Sequence, residues 1–406
     1  MFVGEWARSS SEGIVDVNVR WLAKRHTLRR QSVLAVAVCI GGIVLTAAPA
    51  AALPDDMHPA GALLAEQPVT AAVLPVGAAD TSAVIRYSTL RTATEAGEST
   101  GSVFLPQGAP PAGGWPVVSY AHGNVGIDDE CAPSVTGSSD VEREFMQHWL
   151  AAGYAVAATD YAGIGTDGVN AYTDGPAAGA NAVDIVRAAH QLYGDQLSDR
   201  WIVTGLSQGG HASYFAAHQA TTRTPELDFR GAIAVAAPTH LDQLFPLAGP
   251  NFPSVPVAGI AHYVLYTLAG LDDGRPEHGI RQYLTPTGIG LMEKAKATCS
   301  NDLNEYLSAH PVTVAELFTT PLDSPDLRGV LDQMQHVPTD GFDRPIRVVH
   351  SLADTKVPIP LTWAQLTEMR SGGVDVEFQQ LSGTDHAHTL TASMPESLDF
   401  AARVLH

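Results

Sequence analysis

Through most of the chain, short runs of aliphatic and β-branched residues alternate with longer stretches whose apolar positions recur every three to four residues. Residues 103–105, 117–120, 154–159, 202–206 and 232–236 read as strands, and 141–152, 178–193 and 211–219 as helices between them. The 178–193 segment carries Ala182, Ile185, Val186, Ala189 and Leu192 on one stripe, the face a sheet-covering helix needs. Two further strands, 345–350 and 374–378, follow near the C-terminus. Nearly continuous apolar strands separated by amphipathic helices predict an α/β fold. The sheet should be mostly parallel and doubly wound, with helices on both faces.

The alternation breaks between residues 238 and 338. Pro246, Pro250, Pro253, Pro256, Pro286 and Pro311 interrupt this stretch, and only pieces such as 257–268 and 290–297 keep a helical pattern. It reads as a helical cap insert in a core made of 53–237 and 339–406. Residues 53–80, rich in Ala, Pro and Val and without periodicity, read as a leader running over the surface.

The N-terminus adds a compartment. Lys24, Arg25, Arg29 and Arg30 precede the apolar run 33–45, and Ala48-Pro49-Ala50-Ala51-Ala52 follows it. That order predicts a signal peptide over 1–52 and a secreted product, cleaved after Ala52 or, alternatively, Ala50. Residues 1–23 resemble no ordinary n-region and read as lying upstream of the true start. The run is short for a bilayer span, so stable membrane insertion is not expected. Cys39 follows Val38, where lipid attachment wants a small residue, which argues against an anchor. Cleavage leaves Cys131 and Cys299, and two cysteines in an exported chain predict one disulfide.

Composition sets the remaining bounds. The 406 residues are 45% hydrophobic and 16% charged, enough for a sizeable core, and the net charge is −20. Without residues 1–52 the chain holds 17 basic and 40 acidic residues, a net charge of −23. Such a surface repels nucleic acid and anionic headgroups.

Candidate chemistry begins where the 202–206 strand ends in Gly205-Leu206-Ser207-Gln208-Gly209 and a helical segment follows. Gly-x-Ser-x-Gly between strand and helix predicts a nucleophile elbow, with Ser207 held in a strained turn and exposed. The Gln208 amide, at the helix N-terminus, is placed to stabilise an oxyanion. In this topology the acid and base follow in the order Ser, Asp, His. Asp354 lies just beyond the 345–350 strand, and Asp385-His386-Ala387-His388 lies after the last strand. Asp354 is the favoured acid over Asp385, because a side chain next to the histidine rarely points at its ring. The base is His386 or His388. A second oxyanion donor is expected from a backbone amide of the loop at His122-Gly123-Asn124, either Gly123 or Asn124. No His-Glu-x-x-His, paired-cysteine or Gly-rich nucleotide pattern is present, so neither metal nor cofactor is expected.

Several of these motifs together carry a family resemblance. Ser119-Tyr120-Ala121-His122-Gly123-Asn124, Cys131-Ala132-Pro133-Ser134 and Asp160-Tyr161-Ala162-Gly163-Ile164-Gly165 resemble the secretory lipases, in their yeast lipase A-like, actinobacterial branch. The Ser207 elbow, the Asp354 loop and Asp385-His386 fall in that family's order. The likeness spans about residues 70–406 and implies the α/β-hydrolase fold. It favours His386 as base. Asn124-Val125 replaces hydroxyl residues of bacterial members, which leaves oxyanion donation near 124 to the backbone. The implied activity is serine-dependent hydrolysis of carboxylic esters, from triacylglycerol lipase to broad esterase, on an ester or lipid substrate, with a lipid–water interface as one place of action. Phe245, Phe252, Tyr263, Tyr266 and Leu268 of the insert then either line an acyl pocket or form the insert's own core. A serine peptidase or amidase of the same fold is the main alternative. A binding protein with a vestigial site is a third reading, which the complete set of candidate residues argues against.

Overall fold

The computed structural model describes residues 58–253 and 259–405. The expected signal peptide, Cys39 and the first residues of the expected 257–268 helix lie outside the described residues. Nine strands form one sheet: β1 (Leu63–Pro68), β2 (Ala83–Thr92), β3 (Glu95–Phe104), β4 (Trp115–Ala121), β5 (Ala155–Thr159), β6 (Leu197–Leu206), β7 (Asp228–Val235), β8 (Ile346–Ser351) and β9 (Val376–Leu381). Their order is β1-β2-β3-β5-β4-β6-β7-β8-β9. The first three pair antiparallel, β3 meets β5 antiparallel, and every pairing from β5 to β9 is parallel.

This is the mostly parallel α/β-hydrolase sheet that the sequence predicts, with an antiparallel edge that it hides. β1 lies inside the stretch expected to be a plain surface leader. Four of its six residues are exposed, as befits an edge strand, so no buried face shows as alternation. In β3 only the C-terminal residues form an apolar run. Its first half, Glu95-Ala96-Gly97-Glu98-Ser99, is polar, and cross-strand pairing with β2 holds it extended instead.

Nine helices of ten or more residues occur among the described residues: α1 (Asp140–Ala151), α2 (Gly175–Tyr193), α3 (Gln208–Arg223), α4 (Ile260–Gly274), α5 (Pro286–Lys296), α6 (Ser300–Ala309), α7 (Pro325–Gln335), α8 (Ile359–Ser371) and α9 (Met394–Leu405). They cover both sheet faces. Val183, Ile185 and Val186 of α2, Ala212 and Ala216 of α3, and Leu366 and Met369 of α8 share one core with Val117 and Val203. Phe145 and Trp149 of α1 and Phe400 and Leu405 of α9 share the other with Val118 and Ile202. Successive strand residues enter opposite cores because side chains alternate across a pleated sheet.

Helices α4 to α7 lie between β7 and β8 and bury a core of their own, including Leu265, Tyr266, Leu268, Leu303, Leu331 and Met334. Three features fasten this insert to the loops above the sheet. Arg275, at the end of α4, pairs with fully buried Asp174 at 2.7 Å, and Gln335 of α7 donates to Thr173 at 2.7 Å. Cys131, in the loop after β4, is disulfide-bonded to Cys299, just before α6, with Cα atoms 5.5 Å apart. Beside that bridge the Ser300 N–H donates to the Val125 carbonyl at 2.8 Å.

Candidate active site

β6 runs into α3 through one residue, Ser207, whose φ of 57° and ψ of −116° are unusual for a residue with a side chain. The Ser207 N–H donates to Val235 O at 2.8 Å and fixes the turn to the end of β7. So sharp a turn brings α3 against β4, and only a residue without a side chain fits there. A Cβ on Gly209 would lie 1.8 Å from the Ala121 carbonyl oxygen. Gln208 is the first residue of α3, so its N–H has no intrahelical acceptor.

Asp354 follows β8 in a loop that its own carboxylate organises. Oδ1 accepts from the amides of Lys356 (2.8 Å) and Val357 (3.0 Å), and Oδ2 meets His386 Nδ1 at 2.7 Å. His350 Nε2 stands 3.2 Å from the same Oδ2 and 3.0 Å from Val357 O. Both neighbours are acceptors, so Nε2 carries the proton and His350 donates to Asp354. Thr362 closes the chain at His350 Nδ1, 2.7 Å away. Burial opposes ionisation of Asp354, but hydrogen bonds from His350, His386 and the Val357 amide outweigh it. The carboxyl is held well below the usual carboxylate range.

The two candidate histidines part here. His386 pairs with Asp354, and only 12% of its side chain is exposed. His388 is 62% exposed and turns its Nδ1 to Asp385, 2.9 Å from either carboxylate oxygen. Asp385 therefore serves the exposed histidine. Ser207 and His386 line the same cleft, with no direct hydrogen bond between them in this structure.

Of the two loop amides expected as second oxyanion donor, Gly123 is already engaged. Its N–H donates to Glu142 Oε1 at 2.9 Å, an oxygen that also accepts from Tyr120 Oη at 2.9 Å. The Asn124 N–H makes no hydrogen bond among the described residues. The Asn124 side chain is fixed at both ends: Oδ1 accepts from the Gly126 amide at 3.0 Å, and Nδ2 points at His262 Nε2 at 3.3 Å. Ser300 Oγ reaches the same His262 nitrogen at 3.3 Å. Burial, with Lys356 nearby, lowers the His262 pKa to about 4, so the ring is neutral and accepts through Nε2. The sequence reading missed Glu142, His262, His350 and Ser300. The one available signal was a histidine inside a strand, His350, four residues before Asp354.

The other motif residues build the scaffold. Asp160, fully buried, receives the Ser134 amide at 3.0 Å and the Ser134 hydroxyl, joining two of the sequence motifs. Burial raises the Asp160 carboxyl pKa, and the bonds from Ser134 offset part of that. Tyr161 donates through Oη to His122 O at 3.0 Å.

Two chambers meet at Ser207. One, of about 150 Å³, is lined mainly by apolar side chains, among them Leu241, Phe245, Phe252, Ile260, Val264 and Leu361. The other, of about 570 Å³, is the more polar of the two: its wall is still largely apolar, but Asn124, Ser139, Asn301, Asp302, Asn304 and His386 line it. Of the insert residues expected at an acyl pocket or a separate core, Phe245, Phe252 and Tyr263 line the apolar chamber. Tyr266 and Leu268 lie in the insert core. The single grouping among the described residues that could hold a metal is Asp242, Asp332 and His336, which lines neither chamber.

The secretory lipase family profile matches residues 131–403, more than half of the chain. The chain belongs to the secretory lipase family. It is therefore a carboxylic-ester hydrolase of the lipase and esterase kind. Among solved structures, lipase A of Candida antarctica in its closed state is similar with a TM-score of 0.68 at 20% identity, over 85% of this chain and 82% of that one. A protein of Legionella pneumophila gives 0.66 at 19% identity, over 79% and 88%. The rice cell wall degrading esterase of Xanthomonas oryzae gives 0.64 at 15% identity, over 85% and 98%. At such identities these structures share the fold with this secretory lipase family member. No curated protein sequence is similar enough to count as a match. Among the described residues no helix is long and apolar enough to cross a membrane.

Proposed function

We propose that this secretory lipase family member is an exported serine hydrolase of carboxylic esters, within the range from triacylglycerol lipase to broad-specificity esterase. Ser207 is the nucleophile, His386 the base and Asp354 the acid. The observation that carries this reading is the 2.7 Å bond between His386 and buried Asp354, with His386 and strained Ser207 on one cleft. His386 takes the Oγ proton as Oγ attacks the ester carbonyl, and Asp354 stabilises the imidazolium. The Gln208 and Asn124 amides hold the oxyanion. The alcohol leaves with the proton from His386, an acyl-serine remains, and water activated by the same histidine releases the acid. Residues 238–338 act as the cap of a core formed by 53–237 and 339–406. Residues 1–52 act as the signal peptide, in keeping with the family and with a disulfide.

A fluorophosphonate probe, with p-nitrophenyl esters and anilides assayed side by side, tests the proposal. The probe should attach to Ser207, and esters should turn over while anilides remain nearly inert. Anilide turnover matching the ester rate would move the enzyme to the amidases, and absence of any adduct would remove the serine mechanism.

A further inference from the structure

The unlike walls of the two chambers bear on which ester the site takes. Both chambers open on Ser207, but His386 and the oxyanion loop line only the polar one. In acyl transfer the alcohol oxygen must lie beside the histidine that protonates it. The leaving alcohol therefore belongs in the polar chamber, and the acyl chain takes the apolar one. From these observations we infer that the preferred substrate is an ester between a short acyl chain and a polyhydroxylated alcohol such as a sugar or polyol. The inference rests on the serine mechanism proposed above.

Volume limits the acyl group. A dry apolar cavity of 150 Å³ lined by Leu, Ile and Phe holds a guest of about six carbons. The apolar chamber here has that size and that kind of lining. A longer chain would have to displace Phe245 or Leu361, at the cost of packed contacts, or run out past the chamber mouth and leave its end in water. The polar chamber has the volume of a site for a larger ligand. Asn301 and Asp302, both exposed, stand at its wall from the start of α6 and make no side-chain hydrogen bond among the described residues, so water is what a ligand there would replace. An alcohol rich in hydroxyl groups satisfies such side chains, whereas an alkyl alcohol strips water from them and returns nothing. In the reaction the Oγ–acyl bond forms as the acyl–alkoxy bond breaks. The proton taken from Oγ passes through His386 to the departing sugar oxygen, which leaves as a hydroxyl.

Two substrate series read the two chambers separately. Across p-nitrophenyl esters from acetyl to palmitoyl, kcat/KM should peak at butanoyl to hexanoyl and fall steeply beyond. With the acyl group fixed as butanoyl, the glucose monoester should exceed the hexyl ester by roughly tenfold or more in kcat/KM. Leu361→Phe should move the acyl optimum toward acetyl and Leu241→Ala toward longer chains, which separates chamber size from general damage. Palmitoyl esters turned over as fast as hexanoyl would overturn the acyl assignment, and preference for hexyl butanoate would overturn the alcohol assignment. Labelling of Ser207 by fluorophosphonate, read on the same samples, tells these failures apart from failure of the serine mechanism. An unlabelled protein inert on every ester would overturn both.

Discussion

At Ser207 the backbone holds a conformation that costs of order 1–3 kcal/mol for a residue with a side chain. Folding tolerates it because the Val235 carbonyl and the close approach of Gly209 to β4 leave no other path from strand to helix. Ser207→Ala should keep fold and strain and lose roughly 10⁴- to 10⁶-fold in kcat. Ser207→Gly should be equally inactive but more stable than Ser207→Ala by about 1 kcal/mol, because glycine takes a positive φ without strain. Urea midpoints of the two inactive variants compare them directly; equal midpoints would remove the strain argument. The histidines give a sharper contrast. His386→Ala should match Ser207→Ala in kcat, whereas His388→Ala, which breaks only an exposed pair with Asp385, should stay within a few-fold of wild type. Reversed results would make His388 the base. Ser207, Asp354 and His386 were legible beforehand because topology fixes them at strand ends. Glu142 and His262 were not, because each acts through a partner distant in sequence, and His350 showed only as a histidine inside a strand four residues before Asp354.

On the scale of elements, the loop after β4 is held from two sides. Glu142 of α1 fixes the Gly123 amide, while His262 of the insert, itself bonded by Ser300, meets the Asn124 side chain. The disulfide and the Ser300–Val125 hydrogen bond pin the insert at the same spot. The insert therefore holds the loop to which the proposed mechanism assigns the second oxyanion donor. Sequence patterning could locate the insert from its prolines and broken periodicity, but no local signal links residue 262 to residue 124. The paired substitution Cys131→Ser with Cys299→Ser should lower stability by about 2–5 kcal/mol. It should also lower kcat more than it raises KM, because the Asn124 amide loses its fixed position. His262→Ala should reproduce the kcat loss without the full stability loss, and His262→Gln, which keeps a side-chain acceptor, should recover part of it. A stability loss with unchanged kcat in the disulfide variant would confine the bridge to folding.

Across the whole molecule, two buried histidines in different places give the protein a common response to acid. Burial lowers the His211 pKa to about 4, and burial together with Lys356 lowers that of His262 to about 4. In the unfolded chain both would titrate near 6.5. Between those values the unfolded state binds protons that the native state refuses, so stability rises with pH through this window. The contribution is full above about pH 6.5 and is lost as pH falls toward about 4, at up to about 1.4 kcal/mol per pH unit for each histidine. Asp354 extends the loss in the same direction. Its folded pKa is depressed, so its stabilisation holds above the unfolded value of about 4 and disappears below that. The large negative net charge does not protect the chain here, because the penalty arises inside the fold. Urea unfolding measured from about pH 7.5 down to about pH 4.5 should show midpoints falling steadily through the window. His211→Gln keeps a side-chain donor for the Pro238 carbonyl, which His211 Nδ1 contacts at 3.1 Å, and cannot titrate. It should flatten part of the decline and His262→Gln another part, the remainder falling to His190, whose pKa burial also lowers. Midpoints that stay level in the wild type down to about pH 4.5 would mean that these rings protonate without unfolding, through water that reaches them in the native state.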